Sequence, residues 1–273
     1  MVFEVRDLWP ESAVALGEIS NPRAVRLATR LEEACYQWAK RIIVVTDGIR
    51  FRLVKRGIPD EKLVLIPNGA NVEMFRYVPQ ERERIRRELN IKETDFVAIY
   101  AGIHGIAQGL ETLVESARIL QNQEDVKIIL VGDGPKKAEI AGLAAGYDLP
   151  NLLLLDQQPR EQIPGFLSAA DTAIIPLRNI DLFHGALPSK LFDAWACRRP
   201  VLLSVDGEAR RVMDEAQGGL FVPPENPQAL AGAIMELKRD PAKREAMGYN
   251  GRAYTERRYS RKALAERLAS SLE

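Results

Sequence analysis

Metal and disulfide chemistry have little to draw on in this chain: 273 residues include two cysteines, Cys35 and Cys197, and two histidines, His104 and His184. No CxxC, HExxH or other ligand cluster can be assembled from them, which excludes a zinc enzyme and a disulfide framework. Net charge is also missing. Lys plus Arg number 38 and Asp plus Glu number 38, so no overall basic field points to a nucleic-acid partner. The longest apolar runs, such as Ile42 to Val45 and Leu152 to Leu155, fall far short of the roughly 18 residues that cross a bilayer. There is no signal-peptide pattern, internal repeat or low-complexity tract. The absences predict a soluble, cytoplasmic chain. Its 46% hydrophobic and 28% charged content is that of a globular protein, and its length suits about two domains.

From Phe96 onward, short β-branched runs alternate with longer amphipathic segments, the pattern of parallel βαβ units. Strands are predicted at Phe96 to Ala101, Val126 to Val131, Leu152 to Leu155, Thr172 to Pro176, Pro200 to Val205 and Leu220 to Val222. Helices are predicted at Gly109 to Leu120, Lys136 to Ala145, Glu161 to Ala169, Ser189 to Cys197, Glu208 to Glu215 and Pro227 to Lys238. This is a doubly wound α/β domain, which binds ligands beyond the carboxyl ends of its strands, where strand order reverses.

The first part differs: a strand Val2 to Val5, one long helix from Pro10-Glu11-Ser12 to about Lys40, then strands Ile42 to Thr46 and Leu63 to Ile66. These elements are too few for a complete doubly wound domain. The turn Pro67-Asn68-Gly69 reads as an interdomain hinge. The division expected is 1–75, a partial first domain; 76–245, the doubly wound domain; and 246–273, C-terminal helices returning toward the first. The tail from Lys238 holds ten basic and five acidic side chains, read either as solvated helices or as a peripheral contact with the inner membrane.

Two loops carry the main chemical signals. Gly102-Ile103-His104-Gly105-Ile106-Ala107-Gln108-Gly109 links a strand to a helix, where backbone N–H groups can meet an anion at the positive end of the helix dipole. Its glycines fit neither GxGxxG nor a P-loop, and tight turning explains them equally well. In Gly185-Ala186-Leu187-Pro188-Ser189-Lys190-Leu191-Phe192-Asp193, Pro188 and Ser189 are first-turn and cap residues. Their helix N-terminus and Lys190 suit a diphosphate. Asp193, one turn later, is placed to accept two ribose hydroxyls. A surface helix with a local Lys190–Asp193 ion pair is the competing reading. Gly132-Asp133-Gly134 is a strand-end turn in which Asp133 caps the next helix or faces the site. Gln157-Gln158 lies where a nucleobase edge would be read. His104 and His184 stand in the two best loops as phosphate or sugar contacts, or as packing groups.

The order of Ile66-Pro67-Asn68-Gly69, Tyr100-Ala101-Gly102, Val131-Gly132-Asp133-Gly134-Pro135, Ala170-Asp171, the PSKLFDAWA helix, Arg199-Pro200-Val201 and Gly219-Leu220-Phe221-Val222-Pro223-Pro224 resembles glycosyltransferase family four. The segments VRDLWPES and GIHGIAQGLETL are similar to its bacterial O-antigen, capsule and exopolysaccharide branch. The resemblance implies a GT-B fold and retaining transfer of a hexosyl or amino sugar from a UDP- or GDP-linked donor to a glycan or lipid-linked acceptor. It implies no metal or other cofactor. By position, Lys190 and Ser189 would hold the diphosphate and Asp193 the ribose. Gly102, His104, Gly105, Gln108, Gly132, Gln158 and His184 would complete the donor site. Arg6 and Asp7 fall near the position of a catalytic-cleft histidine, and together with Lys190 they form the expected catalytic set.

Three departures stand out. Gly185 replaces the first acid of the family's pair, eight residues before Asp193. Ile103 or His104, and Gln108, stand where many members aim arginine and lysine at the donor phosphates. The resemblance also implies earlier βα units that this chain lacks, so a partner chain completing the first domain is the alternative to a self-sufficient enzyme. An NAD-dependent oxidoreductase shares the fold class but lacks its fingerprint.

Overall fold

A computed structural model describes residues 1–272, so the last residue of the expected 246–273 segment lies outside the described residues. In chain order the first elements are β1 (Val2–Val5), α1 (Glu11–Ala15), α2 (Pro22–Trp38), β2 (Arg41–Val44), α3 (Asp47–Lys55), β3 (Leu63–Leu65) and α4 (Pro79–Glu88). Then follow β4 (Phe96–Ala101), α5 (Glu111–Ile119), β5 (Val126–Val131), α6 (Lys137–Tyr147), β6 (Leu152–Leu155), α7 (Ile163–Ala169), β7 (Thr172–Pro176) and α8 (Ser189–Ala196). The last are β8 (Val201–Ser204), α9 (Glu208–Ala216), β9 (Gly219–Phe221), α10 (Pro227–Arg239), α11 (Pro241–Arg258) and α12 (Arg261–Leu272).

The strands form two all-parallel sheets, β1-β2-β3 and β6-β5-β4-β7-β8-β9. In the larger sheet the order reverses between β4 and β7, which opens a crevice at their carboxyl ends. Alternation along β4 shows why this sheet is buried on both faces: Val97 and Ile99 enter one core, while Phe96, Ala98 and Tyr100 enter the other. This is the GT-B Rossmann-like fold.

The single long helix expected up to Lys40 is two helices. Gly17 takes a left-handed φ of 74°, and Asn21 caps α2 by accepting a hydrogen bond from the Arg23 N–H at 2.9 Å. Pro22 opens that helix, because proline disfavours helical geometry in the residue before it. Two further helices, α3 and α4, were not anticipated. Thr46 caps α3 by accepting from the Ile49 N–H at 3.1 Å. Asp133 is not a helix cap: its Oδ1 accepts from the Gly134 N–H at 2.7 Å, and α6 begins after Lys136.

α2 is turned inside out. Ala28, Glu32 and Tyr36 face the small core, where Glu32 accepts from Tyr36 and pairs with Arg56 at 2.6 Å. Leu27, Leu31 and Trp38 point outward, 61%, 59% and 74% exposed. β1 is an edge strand beside this helix.

The two sheets are tied together by α12 and α9. Arg252 Nη1 donates to Phe75 O and Ala196 O, and Arg261 Nη2 to Gly69 O. Arg267 Nη2 reaches Leu65 O at 3.3 Å. Arg261 and Arg267 thereby reach the segment leaving the first sheet, while Arg252 bridges Phe75 and Ala196 within the larger core.

Candidate active site

Two cavities meet at Ser189 and Lys190. The first, about 680 Å³, opens at the carboxyl ends of β4, β5 and β6 and is lined by Gly102, Gly132, Gln158, Arg160, Lys190 and Asp193, among others. The second, about 480 Å³, lies between the sheets and includes Arg6, Asp7, Asn68 and Gln108.

α8 carries the key side chains. Pro188 fixes its start, and Ser189 is the exposed first helical residue, with no side-chain cap bond. The first turn therefore presents N–H groups without helical partners. The Lys190 side chain lies over Gly102, whose hypothetical Cβ would overlap Lys190 Cε. Burial lowers the Lys190 pKa, opposed in part by Asp193. The Lys190–Asp193 ion pair does not form among the described residues. Asp193 Oδ1 instead has no hydrogen-bond partner, and Oδ2 stands 3.9 Å from Arg160. Burial pushes the Asp193 carboxyl up to about 6, with Arg160, Arg261 and Lys190 opposing. A half-buried cation without an ion-pair partner among the described residues and a buried, unsatisfied acceptor are what a polar ligand would complete.

The loops after β4 and β5 pack directly on each other. The His104 N–H donates to Asp133 O at 2.8 Å, and the Lys136 N–H to His104 O at 2.9 Å. A Cβ on Gly132 would overlap Gly102 O. His104 itself lines neither cavity: it is 1% exposed, both ring nitrogens lack partners, and burial lowers its pKa. Its ring packs beneath the loop, 6.0 Å from that of Tyr100.

The other expected residues separate. Gly132 and Gln158 line the first cavity, though Gln158 Nε2 donates to Asp156 O at 3.1 Å. Gln108 belongs to the second cavity, and Gly105 lies against its side chain without lining either. Arg6 and Asp7 line the second cavity, Arg6 pairing with Glu4 at 2.9 Å. His184 is exposed on the 3₁₀ turn Asp181–Gly185 and lines neither cavity. A Cβ on Gly185 would sit 3.1 Å from Gly48 Cα, so an acid there would need the start of α3 to give by a few tenths of an ångström. The acid at that corner is Glu208, which accepts from the Asp47 and Gly48 N–H groups at 3.0 and 2.8 Å.

Sequence reasoning missed Phe75 and Arg160. Both line the first cavity, with the guanidinium 5.4 Å from the ring centroid. They are distant in sequence, and no local spacing connects them.

The cavity at the switch point of the six-stranded sheet thus has a lysine and an acid one turn apart on the helix beside it. Residues 81–254 match the family model for Glycosyl transferases group 1, and residues 7–74 match Glycosyltransferase Family 4. The chain belongs to the group 1 glycosyl transferases. It is 28% identical to the probable glycosyltransferase WbjE of Pseudomonas aeruginosa and 22% identical to the putative colanic acid biosynthesis glycosyl transferase WcaI of Escherichia coli. Each match covers 86% of this chain but 59% of the relative. Anabaena HepE in complex with UDP and glucose has a TM-score of 0.83 at 19% identity, over 99% of this chain and 70% of that one. Sucrose-phosphate synthase from Thermosynechococcus elongatus gives 0.80 at 24% identity, over 99% and 66%. Among the described residues, no helix is long and apolar enough to cross a membrane.

Proposed function

We propose that this chain is the donor-binding part of a retaining glycosyltransferase. It moves a hexosyl or amino sugar from a UDP- or GDP-linked donor to a lipid-linked saccharide or other glycan in cell-surface polysaccharide synthesis. The observation that carries the reading is the unsatisfied pair on α8: Lys190 without a carboxylate within 4.0 Å among the described residues, and Asp193 Oδ1 without a donor, both on the 680 Å³ cavity. Lys190 and the first-turn N–H groups stabilise the charge that builds on the departing diphosphate, the main electrostatic task in such a transfer. Asp193 accepts from ribose hydroxyls. The acceptor enters the cavity between the sheets, where Arg6 and Asp7 stand. HepE, which was solved with UDP and glucose, supports a nucleotide-sugar donor through likeness of fold. No metal or other cofactor enters the proposed transfer.

A second reading has its own observation. The open edge of β1 and the outward Leu27, Leu31 and Trp38 of α2 favour a nucleotide-binding subunit whose first domain is completed by further polypeptide.

Calorimetric titration with UDP, GDP and NAD, without added metal, tests both. Binding of UDP or GDP alone fits the donor reading. Sugar transfer by the chain alone then refutes the second reading, and transfer only after a first-domain polypeptide is supplied supports it. NAD binding, or no nucleotide binding under any of these conditions, overturns the donor reading.

A further inference from the structure

A second charged cavity lies at the other end of the six-stranded sheet. Asp171 directly precedes β7, and Arg198 and Arg199 precede β8, so they stand at the amino ends of parallel strands whose carboxyl ends face the donor cavity. About 330 Å³ is enclosed there by the guanidiniums of Arg82, Arg198, Arg199 and Arg244 and the carboxylates of Asp171 and Glu245, with Tyr77 and Tyr249 beside them.

Asp171 is already committed. It lies 3.3 Å from Arg82 and accepts from Arg86 Nη2 and the Val97 N–H, each at 2.8 Å. Arg82 also pairs with the exposed Glu93 at 2.8 Å, while Arg199 is fixed by neutral acceptors. Arg82 and Arg86 donate to carbonyls at the end of α7, and Arg199 donates to Ala170 O at 2.8 Å and Cys197 O at 3.1 Å. Arg199 lies 4.6 Å over the Tyr77 ring and Arg198 4.9 Å over the Tyr249 ring. Such bonds set position but cancel little charge. Five guanidiniums, Arg86 included, face Asp171, Glu245 and the exposed Glu93. Even with about half a negative charge at the C-terminus of each of α7 and α8, the cluster retains roughly one positive unit. Burial lowers the Arg199 pKa, opposed in part by Asp171, yet a guanidinium keeps its proton. An anion entering the cavity would offset that excess.

We propose that this cavity is a binding site for a phosphate group on a small soluble molecule, held chiefly by Arg198 and Arg199. Arginine's planar fork suits phosphate oxygens, and the stacked tyrosines hold the guanidiniums ready. The site is independent of the donor reading, since none of its residues lines the donor cavity.

The test is calorimetric titration of the full chain with inorganic phosphate, at ionic strength held constant with chloride. A saturable site is expected that weakens about tenfold in Arg198→Ala and persists in Lys190→Ala, whatever phosphate the donor cavity also takes. Arg198 is exposed and makes no ion pair among the described residues, so its removal leaves the fold intact. Arg198→Lys should restore only part of the affinity, because it keeps charge and loses the fork. Binding abolished by Lys190→Ala would place the phosphate in the donor cavity and overturn the proposal, as would equal affinity in Arg198→Ala or no saturable binding. Sedimentation of the chain with phosphatidic acid vesicles through Arg198, without binding of free phosphate, would replace a soluble ligand by a lipid headgroup.

Discussion

The side chain of Lys190 occupies the space that any side chain on Gly102 would need: a Cβ there would overlap Lys190 Cε and lie 2.8 Å from Nζ. The glycine after β4 thus has a role beyond turning the chain. It lets the ammonium reach the donor cavity along the backbone. Lys190→Ala is expected to weaken binding of a nucleotide sugar by about 1.5–3 kcal/mol, the loss of a charge-assisted contact. Gly102→Ala should displace the same ammonium and weaken binding in the same direction. In the Lys190→Ala background the glycine substitution should cost much less, because the clash has gone. A double-mutant cycle by calorimetry measures this coupling, and additive effects would separate the two residues.

Asp193 sets a pH dependence. Its carboxyl titrates near 6, raised above the ordinary carboxylate range by burial. Below that pH it is neutral and loses one of its acceptor oxygens, so affinity for the donor should fall as pH drops from 7 to 5. UDP-glucose is a suitable probe, since its diphosphate diester does not titrate there. The sign for stability is opposite. The folded pKa lies above the unfolded value of 3.8, so ionised Asp193 opposes folding above pH 6, and that cost fades as pH falls through 6. Asp193→Asn should therefore raise stability at pH 7.5 by roughly 1–3 kcal/mol in urea denaturation while weakening UDP binding. It should also remove the fall in affinity. The ribose role has a direct check: UDP should bind more tightly than its 2′,3′-dideoxy analogue.

The doubly wound sheet was legible because both its signals are local. β-branched runs such as Val126–Val131 mark buried strands, and proline and glycine mark their ends. Lys190 and Asp193 were legible for the same reason, being three positions apart on one helix. The break between α1 and α2 carried a signal, Asn21-Pro22, which a long amphipathic period overrode. His104 was placed in the donor site from its loop, but ring orientation depends on packing against Tyr100 and the Gly132-Asp133-Gly134 turn, which no spacing encodes. Arg160 beside Phe75, and Glu208 at the start of α3, depend on how distant segments meet.

Glu208 joins the two sheets through two backbone N–H groups at the positive end of α3, with Arg211 3.4 Å from Asp47 alongside. Glu208→Ala leaves those donors unpaired and should cost about 1–3 kcal/mol. Glu208→Gln, which keeps one good acceptor, should cost less. The residue lines neither cavity, so UDP affinity should change little while limited proteolysis within α3 quickens. A large loss of affinity without faster cleavage would assign Glu208 to the site instead.

The outward face of α2 makes the last prediction. Leu27 and Leu31 are one turn apart and Trp38 lies two turns further along the same side, each more than half exposed, while the inward face holds the Glu32–Arg56 pair. An amphipathic helix normally turns its apolar stripe to the core, so here the stripe is free to bind other apolar surface. The isolated chain should bind a hydrophobic dye, and Leu27→Glu with Leu31→Glu should abolish most of that signal. Because neither side chain contributes to the small core, the double variant should unfold within about 1 kcal/mol of the parent. If polypeptide completes the first domain, the same two substitutions should prevent it from docking and leave UDP binding by the isolated chain unchanged. A double variant that fails to fold would show instead that the stripe is already packed.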